Sequence, residues 1–334
     1  MNMYYEPYRG NKKKKKKAAR KKRLPFGQWL LQGLLKLFAA VLVIAILGAA
    51  LLYALPPAAF MVERDDADLS LNDGMPGSCI HILLLGTDML SHNTQRSDSI
   101  IIASVGYGKL RLTSILRDTV VDIPGHGKGK LNAAFAYGGP ELMMKTLNQN
   151  FGLNIMYYAH VDFVALVQVV DAIGGVEIDL TEAERERLNA TQLDVKKIFA
   201  PLGYTPKEVT QTGESVHLDG LQALAYARIR KIDSDFVRAG RQRKLLNAML
   251  KKLRGNLWNP FLLGRLIKTG FSAVDTNMSP VLVLSLGEKA LMAGQAEQLR
   301  LPVDGTYTDD GSKLTVNDYT ANRDAFYRFV YNEG

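Results

Sequence analysis

Two aspartates lie beside predicted strands, where carboxylates could bind a metal ion. Asp88 follows the apolar run 80–85 and Asp98 directly precedes the apolar run 99–105. Open α/β sheets place ligand crevices at the carboxyl ends of their strands, and carboxylate oxygens suit Mg²⁺ and Mn²⁺, with water completing the shell. The spacing also fits a structural role, in which Asp88 caps a turn and Asp98 pairs with Arg96.

Residues 228–243 concentrate arginine between two predicted helices. This segment contains five arginines and one lysine. A solvated surface that needed only positive charge could use lysine equally well, so the excess of arginine calls for another reason. Guanidinium groups bind phosphate through paired hydrogen bonds, and a helix N-terminus adds partial positive charge. Arg241 and Gln242 follow Arg238 by three and four positions, so they share its helix face. An exposed ion-pair network is the alternative, but the preference for arginine indicates a phosphate site. Another arginine, Arg117, follows the predicted strand 110–116, so it points to the same edge of the sheet.

Several other chemistries are excluded by the sequence. The single cysteine, Cys79, excludes a disulfide framework and a multi-cysteine zinc site. The five histidines form no HExxH or similar pair. There is no GxSxG motif, and GHGKGK at 125–130 lacks the spacing of a nucleotide-binding loop. That segment is predicted to be a flexible, basic loop.

The net positive charge of the chain comes from its N-terminal tail. The formal net charge is +9, yet residues 1–36 carry 12 lysines and arginines against one acid, so the remainder is slightly acidic. The tail has no interleaved aromatics and no fold to present it. It therefore predicts contact with anionic membrane lipid, and no nucleic-acid partner is expected.

A transmembrane helix is predicted at residues 37–56. No charged residue occurs between positions 37 and 62, and a helix of about 20 apolar residues spans a hydrocarbon core of about 30 Å. A cleaved signal peptide is the alternative, but Leu55-Pro56-Pro57 suits a cleavage site poorly. Because cationic flanks stay in the cytoplasm, we expect a single-pass cell-membrane protein with a cytoplasmic tail at 1–36, a linker at 57–77 and an external domain at 78–334.

The external part alternates between strand and helix patterns. Strands are predicted at 80–85, 99–105, 110–116, 155–161 and 176–180, and helices at 140–151, 162–173, 219–227, 241–253, 260–269, 279–292 and 317–331. No internal repeat or second linker divides them. The fold class predicted is α/β: a single mixed sheet with helices on both faces, in one domain that follows one transmembrane helix.

A series of motifs stands in a specific order along the chain: LLLGTD at 83–88, RSDSI at 96–100, LRDT at 116–119, IPG at 123–125, KLNAA at 130–134, VDF at 161–163, VDAIGGV at 170–176, LDG at 218–220, and then Arg228, Arg230, Asp233, Asp235, Phe236, Arg238 and RQR at 241–243. In this order and spacing the chain resembles the LytR-CpsA-Psr family of membrane-anchored cell-wall proteins. The resemblance covers residues 79–250, and the tail, single span and external domain match the family's plan.

The resemblance implies a transferase in the cell membrane of a Gram-positive bacterium. Such enzymes move an anionic glycopolymer, for example wall teichoic acid or capsule, from an undecaprenyl-pyrophosphate carrier to peptidoglycan. The new bond is a phosphodiester, usually on the C6 hydroxyl of N-acetylmuramic acid. Carried over residue by residue, the metal ligands for Mg²⁺ or Mn²⁺ are Asp88 and Asp98. The pyrophosphate-binding residues are Arg96, Arg117, Arg228, Arg230, Arg238, Arg241 and Gln242.

The resemblance also implies three catalytic residues, namely Arg228, Arg238 and Asp235. Asp235 would orient an arginine or help to remove the acceptor proton. The chain departs from the family at Leu90, where many members carry an arginine, so binding of the lipid head would depend more on Arg96 and Arg117. Two other functions stay open: a hydrolase that cleaves the polyprenyl pyrophosphate with water, and a membrane-bound regulator of cell-envelope genes.

Overall fold

The computed structural model describes residues 69–72, 79–87, 96–229 and 235–331, except the side chains of Asp235 and Phe271. The predicted tail, the predicted transmembrane helix and most of the predicted linker lie outside these ranges, as do Asp88 and Arg230. Within the ranges, no helix is long and apolar enough to cross a membrane.

Strands and helices alternate along the described chain. In chain order the elements are β1 (Cys79–Thr87), β2 (Ser97–Gly106), β3 (Lys109–Ile115), β4 (Thr119–Ile123), β5 (Gly127–Lys130), α1 (Asn132–Phe151), β6 (Tyr157–Asp162), α2 (Phe163–Ala172), β7 (Val176–Leu180), α3 (Glu182–Phe199), β8 (Gly213–Leu218), α4 (Gly220–Ala227), α5 (Asp235–Arg254), α6 (Pro260–Ala273), β9 (Asp275–Thr276), α7 (Pro280–Met292), β10 (Glu297–Leu301), β11 (Tyr307–Asp309), β12 (Leu314–Val316) and α8 (Tyr319–Tyr331).

A six-stranded mixed sheet forms the centre of the domain, in the order β10-β3-β2-β1-β6-β9. β1 pairs in parallel with β6, and β3 pairs in parallel with β10, whereas β2 is antiparallel to both β1 and β3. The carboxyl ends of β1, β3, β6 and β10 therefore meet the beginning of β2 at one edge of the sheet. This is the edge at which the sequence predicts a ligand site.

Helices cover both faces of this sheet. Leu83 and Ile102 pack on the side of α1 and α8, while Ile82 and Ile101 pack on the side of α5 and α7. Burial on both faces explains why β1 and β2 are continuous apolar runs rather than alternating ones. The predicted α/β/α layering is confirmed.

The prediction of a single sheet is wrong, because the described residues form two smaller sheets as well. Their strand orders are β11-β12-β4-β5 and β7-β8. β5 belongs to the segment predicted as a flexible loop, and it pairs with β4 around glycines of positive φ at Gly125 and Gly127. Only glycine adopts this backbone readily, and a Gly-Lys repeat has no apolar alternation that would predict a strand.

Three helices differ from the sequence prediction. α1 begins at Asn132 and continues through a kink at Gly138 and Gly139, so its first turn precedes the predicted start at Pro140. α5 begins at Asp235, six residues before its predicted start. α3 was not predicted, although Thr181 and Glu184 form a reciprocal capping box at its first turn.

A buried histidine in β1 is expected to make the stability of the domain depend on pH. Nδ1 of His81 lies 2.9 Å from Ser104 Oγ, and Nε2 of His81 lies 2.8 Å from the hydroxyl of Tyr331. Burial lowers its pKa to about 4. The histidine of the unfolded chain gains a proton at about pH 6.5, whereas the buried His81 stays neutral until the pH falls towards 4. Between these two pH values the unfolded state is favoured, by up to about 3 kcal/mol.

The measurement is urea unfolding of wild type, His81→Gln and the control His217→Gln at a series of pH values from 7 to 4. His217 is exposed in β8 and pairs with Glu177. The free energy of unfolding should lose less between pH 7 and 4 in His81→Gln than in wild type. Parallel curves for wild type and His81→Gln would contradict the assignment.

Candidate active site

A pocket opens at the carboxyl edge of the six-stranded sheet. β1 and β6 end there together, with Thr87 paired to Asp162. The cavity has a volume of about 120 Å³, which is small beside the roughly 300–1,000 Å³ of ordinary small-molecule pockets. Its lining includes Leu84, Leu85, Asp98, Ile101, Asp162, Phe163, Leu166, Leu224, Ala227, Arg228, Arg238, Gln242, Leu245, Leu246 and Met249.

One face of α5 supplies both the polar and the apolar parts of this lining. Arg238 and Gln242 come first along the helix, and Leu245, Leu246 and Met249 follow. These positions recur every three or four residues, so they share a face, and they extend over about 16 Å of helix at 1.5 Å per residue. The pocket therefore changes from cationic to apolar along the helix axis.

Arg228 is placed at the pocket by the end of α4. It is the C-cap residue of that helix, where the helix dipole favours a cation. Its guanidinium carbon lies 4.4 Å from the ring centroid of Phe163, the first residue of α2. This cation–π contact orients the guanidinium, whose planar fork of N–H groups suits paired hydrogen bonds to an anion.

A chain of alternating charges lies beside the pocket, in the turn after β3. Arg117 donates from Nη1 to Asp98 Oδ1 and from Nε to Asp118 Oδ2, the latter at 3.3 Å. Lys130 donates to the other oxygen of Asp118 at 2.9 Å. Asp118 and Lys130 were not predicted as site residues. Asp118 bonds Arg117 directly, and Lys130 bonds Asp118.

Arg241 faces a different partner from the one predicted. Its Nε donates to Glu184 Oε1 of α3 at 2.9 Å, and its Nη1 donates to the carbonyl of Ile229 at 3.3 Å. The side chain is buried and does not line the pocket. Arg241 of α5 thus links Ile229, the residue after Arg228, to α3. The predicted contact of Arg241 with pyrophosphate stays a prediction.

The remaining predicted site residues differ in how far the structure describes them. Arg96 is exposed, directly precedes β2 and does not line the pocket. Asp88 and Arg230 lie outside the described residues. Asp235 begins α5, one helical turn before Arg238, and its catalytic role stays a prediction. Of the predicted set, the structure brings together at the pocket Asp98, Arg228, Arg238 and Gln242, with Arg117 bonded to Asp98.

Two functional contacts were missed by the sequence reasoning: Phe163 under Arg228, and Glu184 beside Arg241. In the sequence, Phe163 stood out only as part of the VDF motif and of the predicted helix 162–173. Glu184 had a detectable local signal, the capping-box pattern of Thr181 and Glu184, which predicts the start of a helix. Nothing in that pattern predicts that the same carboxylate also meets an arginine 57 positions away.

Of the two predicted metal ligands, Asp98 lies within the described residues and Asp88 does not. No cluster of three histidine, cysteine, aspartate or glutamate side chains occurs within the described ranges. Mg²⁺ is commonly bound by one or two carboxylates together with substrate phosphates and water. A carboxylate at the cationic end of the pocket, beside Arg117, fits that donor set.

Comparison with known proteins agrees with these features. The sequence profile of the LytR_cpsA_psr family matches residues 62–325. Regulatory protein MsrR of Staphylococcus aureus (strain COL) is 32% identical over 271 residues, which cover 78% of this chain and 75% of MsrR. TagU of Bacillus mycoides (strain KBAB4), named a polyisoprenyl-teichoic acid–peptidoglycan teichoic acid transferase, is 29% identical over 238 residues, which cover 70% of this chain and 71% of TagU.

The fold is also similar to that of solved structures. TagT bound to LI-WTA superposes with a TM-score of 0.61 at 24% identity, over 81% of this chain and 99% of that chain. The profile match covers most of the chain and includes every described residue of the pocket. The protein therefore belongs to the LytR_cpsA_psr family.

Proposed function

We propose that the protein is a phosphotransferase that moves an anionic glycopolymer from undecaprenyl pyrophosphate to peptidoglycan. The observation that carries this proposal is the joining of two chemistries in one pocket. Along α5, Arg238 and Gln242 line one end, and Leu245, Leu246 and Met249 line the other; Arg228 lines the same pocket. A polyprenyl pyrophosphate has the same division, with a dianionic head on an apolar tail. The name of TagU and the ligand of TagT support the same substrate class.

In the proposed reaction, a hydroxyl oxygen of the peptidoglycan sugar attacks the phosphorus that carries the glycopolymer. The bond from that phosphorus to the bridging oxygen breaks, so the products are a phosphodiester and undecaprenyl phosphate. Arg228 and Arg238 neutralise charge on the pyrophosphate oxygens, which is the main requirement of phosphoryl transfer. The hydroxyl proton passes to a base, for which Asp235 is our candidate.

Arg117 and Asp98 complete the proposed head-group site. Asp98, together with Asp88, would hold Mg²⁺ or Mn²⁺, which supplies charge neutralisation on phosphate oxygens when bound. Asp118 and Lys130 fix the position of Arg117, since each bonds the next in the chain of charges. The protein would act from the outer face of the cell membrane, where it meets the lipid-linked donor.

The test uses the full chain in lipid vesicles with a lipid-pyrophosphate glycan donor, a peptidoglycan oligomer and Mg²⁺. Mass spectrometry should detect a metal-dependent ligated phosphodiester product together with undecaprenyl phosphate. Undecaprenyl phosphate without ligated glycan would overturn the transferase and identify a hydrolase. Binding of the donor with neither product would favour a regulator, the class that the name of MsrR suggests.

A further inference from the structure

An exposed aromatic and basic surface lies at the start of α6. Trp258 and Phe261 are 83% and 84% exposed, although both are large apolar residues, and Ile267 of the same helix is 44% exposed. Leu262, the neighbour of Phe261, is 5% exposed and packs inward. α6 thus has one buried apolar face, and in addition Phe261 at its start and Trp258 in the preceding turn present aromatic rings to the outside. Contact of large apolar side chains with water is unfavourable, and clustered exposed ones mark interaction surfaces.

The stretch of sequence that contains these aromatics carries charge of one sign. No aspartate or glutamate occurs from residue 244 to residue 274, while six lysines and arginines do. Arg265 and Lys268 are exposed and lie four and seven positions after Phe261, on the same side of α6. Lys251, in the last turn of α5 just before Trp258, is exposed as well, whereas Lys252 pairs with Glu177 and Arg254 donates to backbone carbonyls of α7. A basic helix with exposed Trp and Phe has the composition of helices that lie in the interface of an anionic bilayer.

This surface connects with the apolar end of the pocket. The inner face of α6 contributes Leu262, Leu263 and Leu266 to a cluster that also contains Leu166 and Met249. Leu166 and Met249 line the pocket. Side chains of α6 and side chains that line the apolar part of the pocket therefore belong to one continuous apolar cluster.

We propose that the turn at Trp258 and helix α6 form a docking surface for the anionic lipid bilayer, and that they place the apolar end of the pocket against the membrane. The inference rests on the proposed function for its purpose. A cavity of about 120 Å³ encloses a small part of a long prenyl chain, so the rest of the chain needs an apolar environment next to the pocket. A bilayer in contact with α6 supplies it. The charge complementarity described above favours lipid over a protein partner or a second copy of the chain.

The primary experiment uses tryptophan fluorescence, because the chain has two tryptophans and Trp258 is the one on this surface. In the full-length Trp29→Phe variant, reconstituted into phosphatidylglycerol nanodiscs, Trp258 is the sole tryptophan. Lipids brominated on the acyl chain should quench its emission by about half or more, whereas aqueous iodide should quench it little. The matched control carries Trp29→Phe, Trp258→Phe and Tyr137→Trp. Tyr137 is 56% exposed on α1, which covers the face of the central sheet opposite to α5 and α7, and a tryptophan there should not be quenched.

Several results would overturn the docking surface. The first is Trp258 emission that brominated lipid leaves unchanged while aqueous iodide quenches it fully. Another is emission that neither brominated lipid nor aqueous iodide quenches, which would identify a protein surface, such as a second copy of the chain, as the occupant. The fluorescence readout needs no turnover, so it tests the docking surface whether or not the protein is a transferase.

A kinetic experiment links the surface to the site. The double variant Trp258→Ser/Phe261→Ser changes two exposed side chains, so the domain should keep its fold. The ratio of transfer rates on donor in phosphatidylglycerol vesicles and on the same donor in detergent micelles should fall about tenfold, because the variant loses apolar contact with the bilayer. An unchanged ratio, with transfer itself intact, would show that α6 takes no part in donor delivery.

Discussion

The Arg228→Ala variant is expected to lose transfer by about 10³-fold or more, because phosphoryl transfer depends on guanidinium groups that neutralise the transition state. Arg228 lines the pocket and is held over the ring of Phe163. Arg228→Lys should recover little of the rate, since an ammonium group donates from one point and lacks the planar fork. The measurement is the initial rate of ligated product in the vesicle assay.

Asp98→Ala should produce a similar loss, for a different reason. Asp98 accepts from Arg117 and is our proposed metal ligand, so its removal takes away a metal-binding carboxylate and leaves Arg117 with one fewer acidic partner. Asp98→Ala should also abolish the response of the rate to added Mg²⁺.

The control for both variants is Arg323→Ala. Arg323 is half-exposed on α8, where it pairs with Asp324, and it does not line the pocket. All three variants should give circular dichroism spectra like that of wild type, because each changes a side chain outside the main core clusters. Transfer at the normal rate by Arg228→Ala or Asp98→Ala would remove these residues from the proposed site.

The second large effect is expected at Arg241, and it concerns stability as well as rate. The Arg241–Glu184 pair is buried, with side-chain exposures of 5% and 15%. Removing the charge of Glu184 takes an opposite charge away from a buried guanidinium, and breaking a buried pair costs about 3–5 kcal/mol. Glu184→Gln should therefore lower the free energy of unfolding by about that amount in a urea titration. Glu182→Gln on the same helix is the control, because Glu182 is exposed, and no measurable change is expected there.

The double variant Arg241→Met/Glu184→Gln separates the two roles of Arg241. Glutamine still suits the capping box that Glu184 forms with Thr181, and methionine fills the space of the arginine stem without a charge. Stability should return most of the way to that of wild type. If Arg241 is structural, transfer returns with stability; if its guanidinium also binds pyrophosphate, the KM for donor stays raised. Single variants as stable as wild type would show that the pair does not carry this energy.

The outcome at Asp98 shows where reasoning from spacing reached its limit. The spacing suggested Arg96 as the partner of Asp98, because the two residues are close in sequence. In the structure Arg96 is exposed and Asp98 accepts from Arg117, which is 19 positions away. Pairing of β1 with β2 and of β2 with β3 brings the turn after β3 to the beginning of β2. That pairing is a property of the sheet, which short spacing does not contain.

By itself, the sequence determined the features that depend on near neighbours. The cap of α2 by Asp162, which accepts from Ala165 N at 2.7 Å, and the buried runs of β1 and β2 follow from residues a few positions apart. The order of the motifs likewise indicated the family. The tertiary structure alone decided which arginine faces the pocket, which one is buried against Glu184, and that Trp258 remains exposed. Hydrogen bonds within a helical turn are fixed by local spacing, whereas these contacts depend on which helix faces meet when the core excludes water, and residues far apart in the chain decide that together.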